Sequence, residues 1–509
     1  MRHLVAVFAG FLALSPGFAS AERYDASPGD DVETMIRMLL PGDELVLAGG
    51  MYETTQRFSI EVSGTEEQPI IIRAADGETP HIRRPNASEN LIDIVDSRWL
   101  VFRGIEFSGG SAGLRFIVAS DITIEDCAIH DTADVALRMN DRDSRYERMI
   151  IRRNHIYDTN GTGEGMYLGC NNNACQLANS VIEQNYVHHT NNPETITQGD
   201  GIEIKEGSFG NVIRDNVIHD TNYPCILTYS AVGNGEPNIV ERNVMWNCGD
   251  HGIQSSADAV IRNNIILSAA GSGIAAQPHQ SGAPANMTIV HNTVINAGGD
   301  ALSIRNPTGS VVIANNALYS SRGRALFMGG DMSMVTVEAN FGMGTGVSEA
   351  SLGDFVRADF GGAPPMDVFL ADGALVGAGS ATYVTEVDFN GTRRSGADIG
   401  AYAFAAGGNP GWVVSAAFKE SAPAARPPTD GGVTDGGAGD PPVDEDAGAG
   451  DAGRPVDAGT GGTPDATLND AGHSFDGGDG EGGGGCTVGA SGAPLLWVLA
   501  AFIAIRTRK

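Results

Sequence analysis

The stretch GDGIEIKEGSFGNVIRDNVIHD, residues 199–220, places a carboxylate and an ammonium two residues apart, at Glu203 and Lys205. On a β-strand that spacing sends both side chains to one face. If Ile202 and Ile204 point inward, Glu203 and Lys205 point outward. The same phase turns Arg138, Tyr167, Tyr229, Gln254 and Arg305 outward from neighbouring segments, and Glu164, Asp200 and His251 stand where strands begin. Carboxylates, an amine and phenols can take up or donate protons, and clustered carboxylates can hold a hard cation. A stripe of Arg138, Tyr167, His251, Gln254 and Arg305, repeating at about the 4.8 Å strand spacing, has the scale of a sugar chain and reads as a substrate-binding track. The alternative is a solvated sheet face on which Lys205 pairs with Glu203 or Glu206, an arrangement of little energetic weight.

The elements that must position these residues form a repeat. Aligned on apolar-x-x-Asn-x-apolar, the chain places Asn154, Asn185, Asn216, Asn243, Asn264, Asn292, Asn316 and Asn340 in register, with Ile105 and Cys127 in the two earlier copies. A loose period of 21–31 residues marks stacked coils with loops of variable length. A second strand in each copy starts with a small residue, as at Gly165, Gly201, Cys225 and Gly252. Short strands stacked on their equivalents make an all-β parallel β-helix solenoid. The asparagines read as a stacked structural ladder, because a buried amide must be hydrogen-bonded. Residues 30–40, with apolar residues at helical spacing and Asp30 or Asp31 as N-cap, predict a short helix lidding the N-terminal end.

The opening PGDELVLAGGMY followed by SGTEEQPIIIRA, together with the closing SGADIGAY at 395–402, resembles the right-handed parallel β-helix, pectate-lyase-like superfamily. It is most similar there to polysaccharide lyase family six and the chondroitinase B-like proteins. The resemblance covers roughly residues 24–405. It implies a right-handed solenoid and β-elimination on an acidic polysaccharide. The stretch IKEGSFGN resembles the family's base-bearing segment, which implies Lys205 as the base provided that burial or cationic neighbours lower its pKa. Tyr229 stands where the family's next coil carries an arginine, and is a candidate acid or base with Glu203 beside it. The resemblance also implies calcium held by Glu164, Asp200 and Glu203 and bridging to substrate. Two other readings stay open: a glycoside hydrolase using Asp200, Glu203 and Glu164, and a non-catalytic glycan-binding or structural β-helix.

A net charge of -31 in 509 residues excludes nucleic acid as an expected partner. Residues 1–21 read as a signal peptide, with an apolar core from Leu4 to Leu14 and an A-x-A site at 19–21. The β-helix domain is expected over 22–405. Residues 406–485 form a Gly/Asp/Ala/Pro-rich linker, in which 421–485 holds 13 acidic and 2 basic residues, and such a composition predicts a disordered spacer. Cys486, an apolar run and a basic end make 486–509 resemble a MYXO-CTERM sorting segment. That implies export and transfer to the cell surface with Cys486 as the processed residue, and membrane contact only through this segment; a monomer is expected. Of six cysteines, Cys170 and Cys175 could bridge, Cys127 and Cys225 read as buried thiols, and Cys248 has no assignment. Nothing in the chain has the close ligand spacing of a zinc motif.

Overall fold

The computed structural model describes residues 21–420; the expected signal peptide, most of the linker and Cys486 lie outside them. Three strand tracks run the length of a solenoid. One coil comprises Ile202–Ile204, Val212–Arg214 and Val217–Thr221. Each strand pairs in parallel with its equivalent in the next coil. The third track alone stacks thirteen strands among the described residues.

The interior follows from period-two alternation. On the second track Ile151, Ile182, Ile213, Val240, Ile261, Ile289 and Ile313 lie in register, and all are fully buried. Each such aliphatic side chain contributes about 1.5–3 kcal/mol on burial. Between the second and third tracks runs the asparagine ladder. The backbone N–H and Nδ2 of Asn185 both donate to Asn216 Oδ1, at 2.9 and 3.0 Å, and Nδ2 also donates to Ile151 O at 2.9 Å. The pattern repeats from Asn154 to Asn340. The residue before each ladder position is left-handed, from Arg153 at φ 53° to Ala339 at φ 47°. Such a backbone is unfavourable for most side chains; the satisfied amides offset it by holding the turn.

The N-terminal lid is the helix Val32–Arg37, capped by Asp31, whose Oδ1 accepts from Thr34 N–H at 3.1 Å. Beyond the last coil the chain turns back along the outside of the third track. Phe355, Phe369, Phe389, Ile399 and Tyr402 pack there against Val244, Trp246, Ile265 and Tyr319. The SGADIGAY segment belongs to this strap: Ala401 N–H donates to Thr293 Oγ1 at 2.9 Å. The packed strap continues past residue 405 to Lys419, which is buried and donates to Asp215 Oδ1 at 2.7 Å.

Two disulfides form. Cys170 pairs with Cys175, with Cα atoms 4.9 Å apart. Cys225 pairs with Cys248, with Cα atoms 5.4 Å apart. The second corrects the reading of Cys225 as a thiol: a small inward residue just before a coil's first strand lies beside the end of the same coil's third-track strand. Cys127 is a buried thiol, and burial pushes its pKa up to about 12.

Candidate functional site

On the first track Arg138, Tyr167, Glu203, Leu227 and Gln254 stand in one outward row, each in register with the next. The row faces away from the core, as the alternation requires, but its middle is closed over. Glu203 is 2%, Lys205 4% and Tyr229 4% exposed. The expectation of an open outer face therefore fails here, because loops from several coils cover it. His279 Nε2 lies 3.2 Å from the Tyr229 hydroxyl. Ser281 N–H donates to Glu206 Oε1 at 3.0 Å, and Gln280 Nε2 donates to Asn171 Oδ1 at 2.9 Å, beside the Cys170–Cys175 staple.

Under this cover Lys205 Nζ donates to Glu203 Oε1 at 2.6 Å. The Tyr229 hydroxyl donates to the same oxygen at 3.2 Å. The ammonium also sits over two aromatic faces, 4.4 Å from the Tyr167 centroid and 5.2 Å from that of Tyr229. Such contacts strengthen when desolvated. Burial alone would lower the pKa of Lys205, but Glu203, followed by Tyr229 and Tyr167, outweighs it and the pKa is raised. This reverses the lowering that a resting amine base needs. Burial and the Glu203 charge raise Tyr229 as well, so it stays a phenol; burial pushes Tyr167 up to about 12.

Glu164 and Asp200 complete the group, both buried at the strand starts. Burial and then the Glu203 charge raise Glu164 to about 7. Burial, Glu203 and Glu164 raise Asp200 well above the carboxylate range. One oxygen on each carboxylate, Glu164 Oε1, Asp200 Oδ1 and Glu203 Oε2, is buried without a hydrogen-bond partner. Ligand oxygens of the three residues lie within 4.8 Å of one another. Buried carboxylate oxygens without donors are costly, and an all-oxygen anionic set is what a hard divalent cation takes. The residues present thus fit calcium.

The other expected track residues lie apart from this cluster. Arg138 is paired with Asp134 at 3.0 Å. His251 Nδ1 accepts from Ser272 N–H at 2.9 Å. Arg305 stacks over Phe327, 4.7 Å from its centroid. Gln254 is buried in the row, two coils from Glu203. Sequence reading missed His279 and Ser281; the only signal was a Pro- and Gly-rich loop after Gln277.

The description "Right handed beta helix region" fits residues 85–196 and 178–318. Pectate lyase PEL9 of Emericella nidulans is 24% identical over 234 residues, covering 40% of this chain and 48% of that protein. The chain thus spans about half the length of that curated relative. Among solved structures, XylC in complex with xylose superposes with a TM-score of 0.50 at 10% identity, covering 75% of this chain and 98% of that one. Pectate lyase Pel9A gives 0.47 at 15% identity, over 76% and 97%. An alginate lyase from Paenibacillus sp. str. FPU-7 gives 0.39 at 17% identity, over 62% and 99%. The chain is thus an all-β parallel β-solenoid whose residues 85–318 match the right-handed β-helix region, and it is similar over 234 residues to a pectate lyase.

Proposed function

We propose that the protein is an exported, surface-attached lyase that cleaves an acidic polysaccharide by β-elimination. The observation that carries this reading is the buried Lys205–Glu203–Tyr229 group beside three unpaired carboxylate oxygens. The matched relative's name, pectate lyase, points the same way. Residues 1–21 and 486–509 support export and attachment through Cys486.

Elimination removes the proton α to a uronate carboxylate, forms a C=C bond as the glycosidic C–O bond breaks, and returns a proton to the leaving oxygen. Tyr229, held as a phenol, is suited to donate that last proton. Lys205, held as an ammonium, supplies positive charge toward a substrate carboxylate. It becomes a proton acceptor only when the charge of Glu203 is cancelled. Calcium held by Glu164, Asp200 and Glu203 would supply that cancellation and a positive charge for the uronate. Entry of a sugar chain requires the 279–282 turn to leave Tyr229 and Glu206. A second reading, hydrolysis, is favoured by one observation: Glu164, at about 7, titrates where a general acid does.

The test is ultraviolet absorbance of new unsaturated ends when the protein meets pectate, alginate or chondroitin sulfate with calcium, beside a Lys205→Ala variant. A rise with one substrate, lost in the variant, is expected. New reducing ends without absorbance would replace elimination by hydrolysis. Retention of glycan with neither would make the protein a binder.

A further inference from the structure

Outside this site, one cluster on the third track has the donors of a metal centre. His81 and Glu106 are in register on adjacent strands, and His130 stands one coil further along on the same face, beside Ser108. Ligand atoms of His81, Glu106 and His130 lie within 4.8 Å of one another. His81 Nδ1 is 3.3 Å and His130 Nε2 is 3.2 Å from the same oxygen, Glu106 Oε1. We propose that these three residues form a second cation site, for a borderline transition metal of the zinc class.

The outer nitrogens argue for it. His81 Nε2 lies 2.6 Å from Ser108 Oγ, and His130 Nδ1 lies 2.8 Å from Asp131 Oδ2. Each ring is oriented through one nitrogen by a hydrogen-bonding partner and turns the other toward a shared point, the arrangement that fixes metal-ligating imidazoles. Asp131 at Nδ1 holds the His130 ring so that Nε2 faces Glu106 Oε1 and, across it, His81 Nδ1, the convergence that a cation between the three side chains would use.

Two imidazoles and one carboxylate select zinc-class ions over calcium, which takes oxygen. Three protein ligands leave a fourth position for water or a ligand. Ser108 and Asp131 also line a cleft of about 610 Å³ that carries Arg83 and Arg84, so the site borders open space. Ligand separations of 25 and 24 residues correspond to one coil each, so no short motif announces the site.

The test is a cobalt titration of the full-length, untagged protein in excess calcium, read by visible d–d absorption and by equilibrium dialysis, with zinc as competitor. One equivalent of cobalt, displaced by zinc, is expected. His81→Ala and Glu106→Gln should abolish it, and Asp131→Asn should weaken it about 10- to 100-fold. Far-ultraviolet circular dichroism checks folding, and His81→Gln substitutes for the alanine variant if that does not fold. His188→Asn removes an imidazole that is paired both with His155, Nε2 to Nε2 at 2.8 Å, and with His189, and should leave the cobalt spectrum intact. No stoichiometric uptake, uptake unchanged in folded His81 variants, or uptake lost in His188→Asn would overturn the proposal.

Discussion

Lys205 Nζ stands 2.6 Å from Glu203 Oε1, and both side chains are sealed from solvent by loops of other coils. Removing one partner of a buried pair strands the other charge. Glu203→Gln is expected to lower stability by about 3–5 kcal/mol at neutral pH, measured by urea unfolding. Glu203→Leu combined with Lys205→Met should recover much of that loss. The raised Lys205 pKa means the pair's contribution is complete below about pH 10 and is lost only as pH climbs through the folded value.

Glu164 brings a loss of the same sign down to neutral pH. Its folded pKa of about 7 lies above the 4.5 of an ordinary glutamate, so the folded state binds the proton more tightly. That stabilisation is complete below the unfolded value and lost as pH rises through about 7, to the extent of about 3 kcal/mol. Without calcium, Tm should therefore fall between pH 5 and 8, and Glu164→Gln should flatten the fall. Calcium added at pH 8 should raise Tm in the wild type and much less in Glu164→Gln or Asp200→Asn. Calcium-independent Tm in the wild type would remove the cation from the site.

The asparagine ladder should fail locally and expensively. Asn216→Ala leaves the N–H and Nδ2 of Asn185 without their acceptor and Ile182 O without its donor. Each buried group left unpaired costs about 1–3 kcal/mol, so a loss of several kcal/mol is expected in denaturant unfolding. Asn340→Ala, at the end of the ladder, should cost less.

The Cys225–Cys248 bond is checked by non-reducing peptide mapping, which should recover the two residues in one linked peptide. Cys225→Ser should lower stability by about 2–4 kcal/mol. Alkylation of both residues without prior reduction would return Cys225 to the thiol state expected from the sequence and make Cys248 a thiol too.

The repeat was legible because its signal is local: an alternation of apolar residues and one asparagine per coil. The outward direction of Glu203, Lys205 and Tyr229 followed from the same alternation. Their burial did not, because it depends on loops such as 277–282, which contact the site across 50 residues between His279 and Tyr229. The condition set for Lys205 as a base, a lowered pKa, could not be judged from the chain for the same reason, since its sign depends on the closeness of Glu203. Cys225 and Cys248 meet, like His81 and His130, through the rise of the coils, which variable loop lengths conceal.

The buried end of the strap has a mechanical consequence. Lys419 is gripped by Asp215 Oδ1, Arg242 O and Phe389 O, at 2.7, 2.9 and 2.6 Å. Tension applied through the chain that follows it would be taken first by this clasp, beside coils midway along the stack. The load then reaches the coils from the side, and the last turn of the solenoid is spared from peeling.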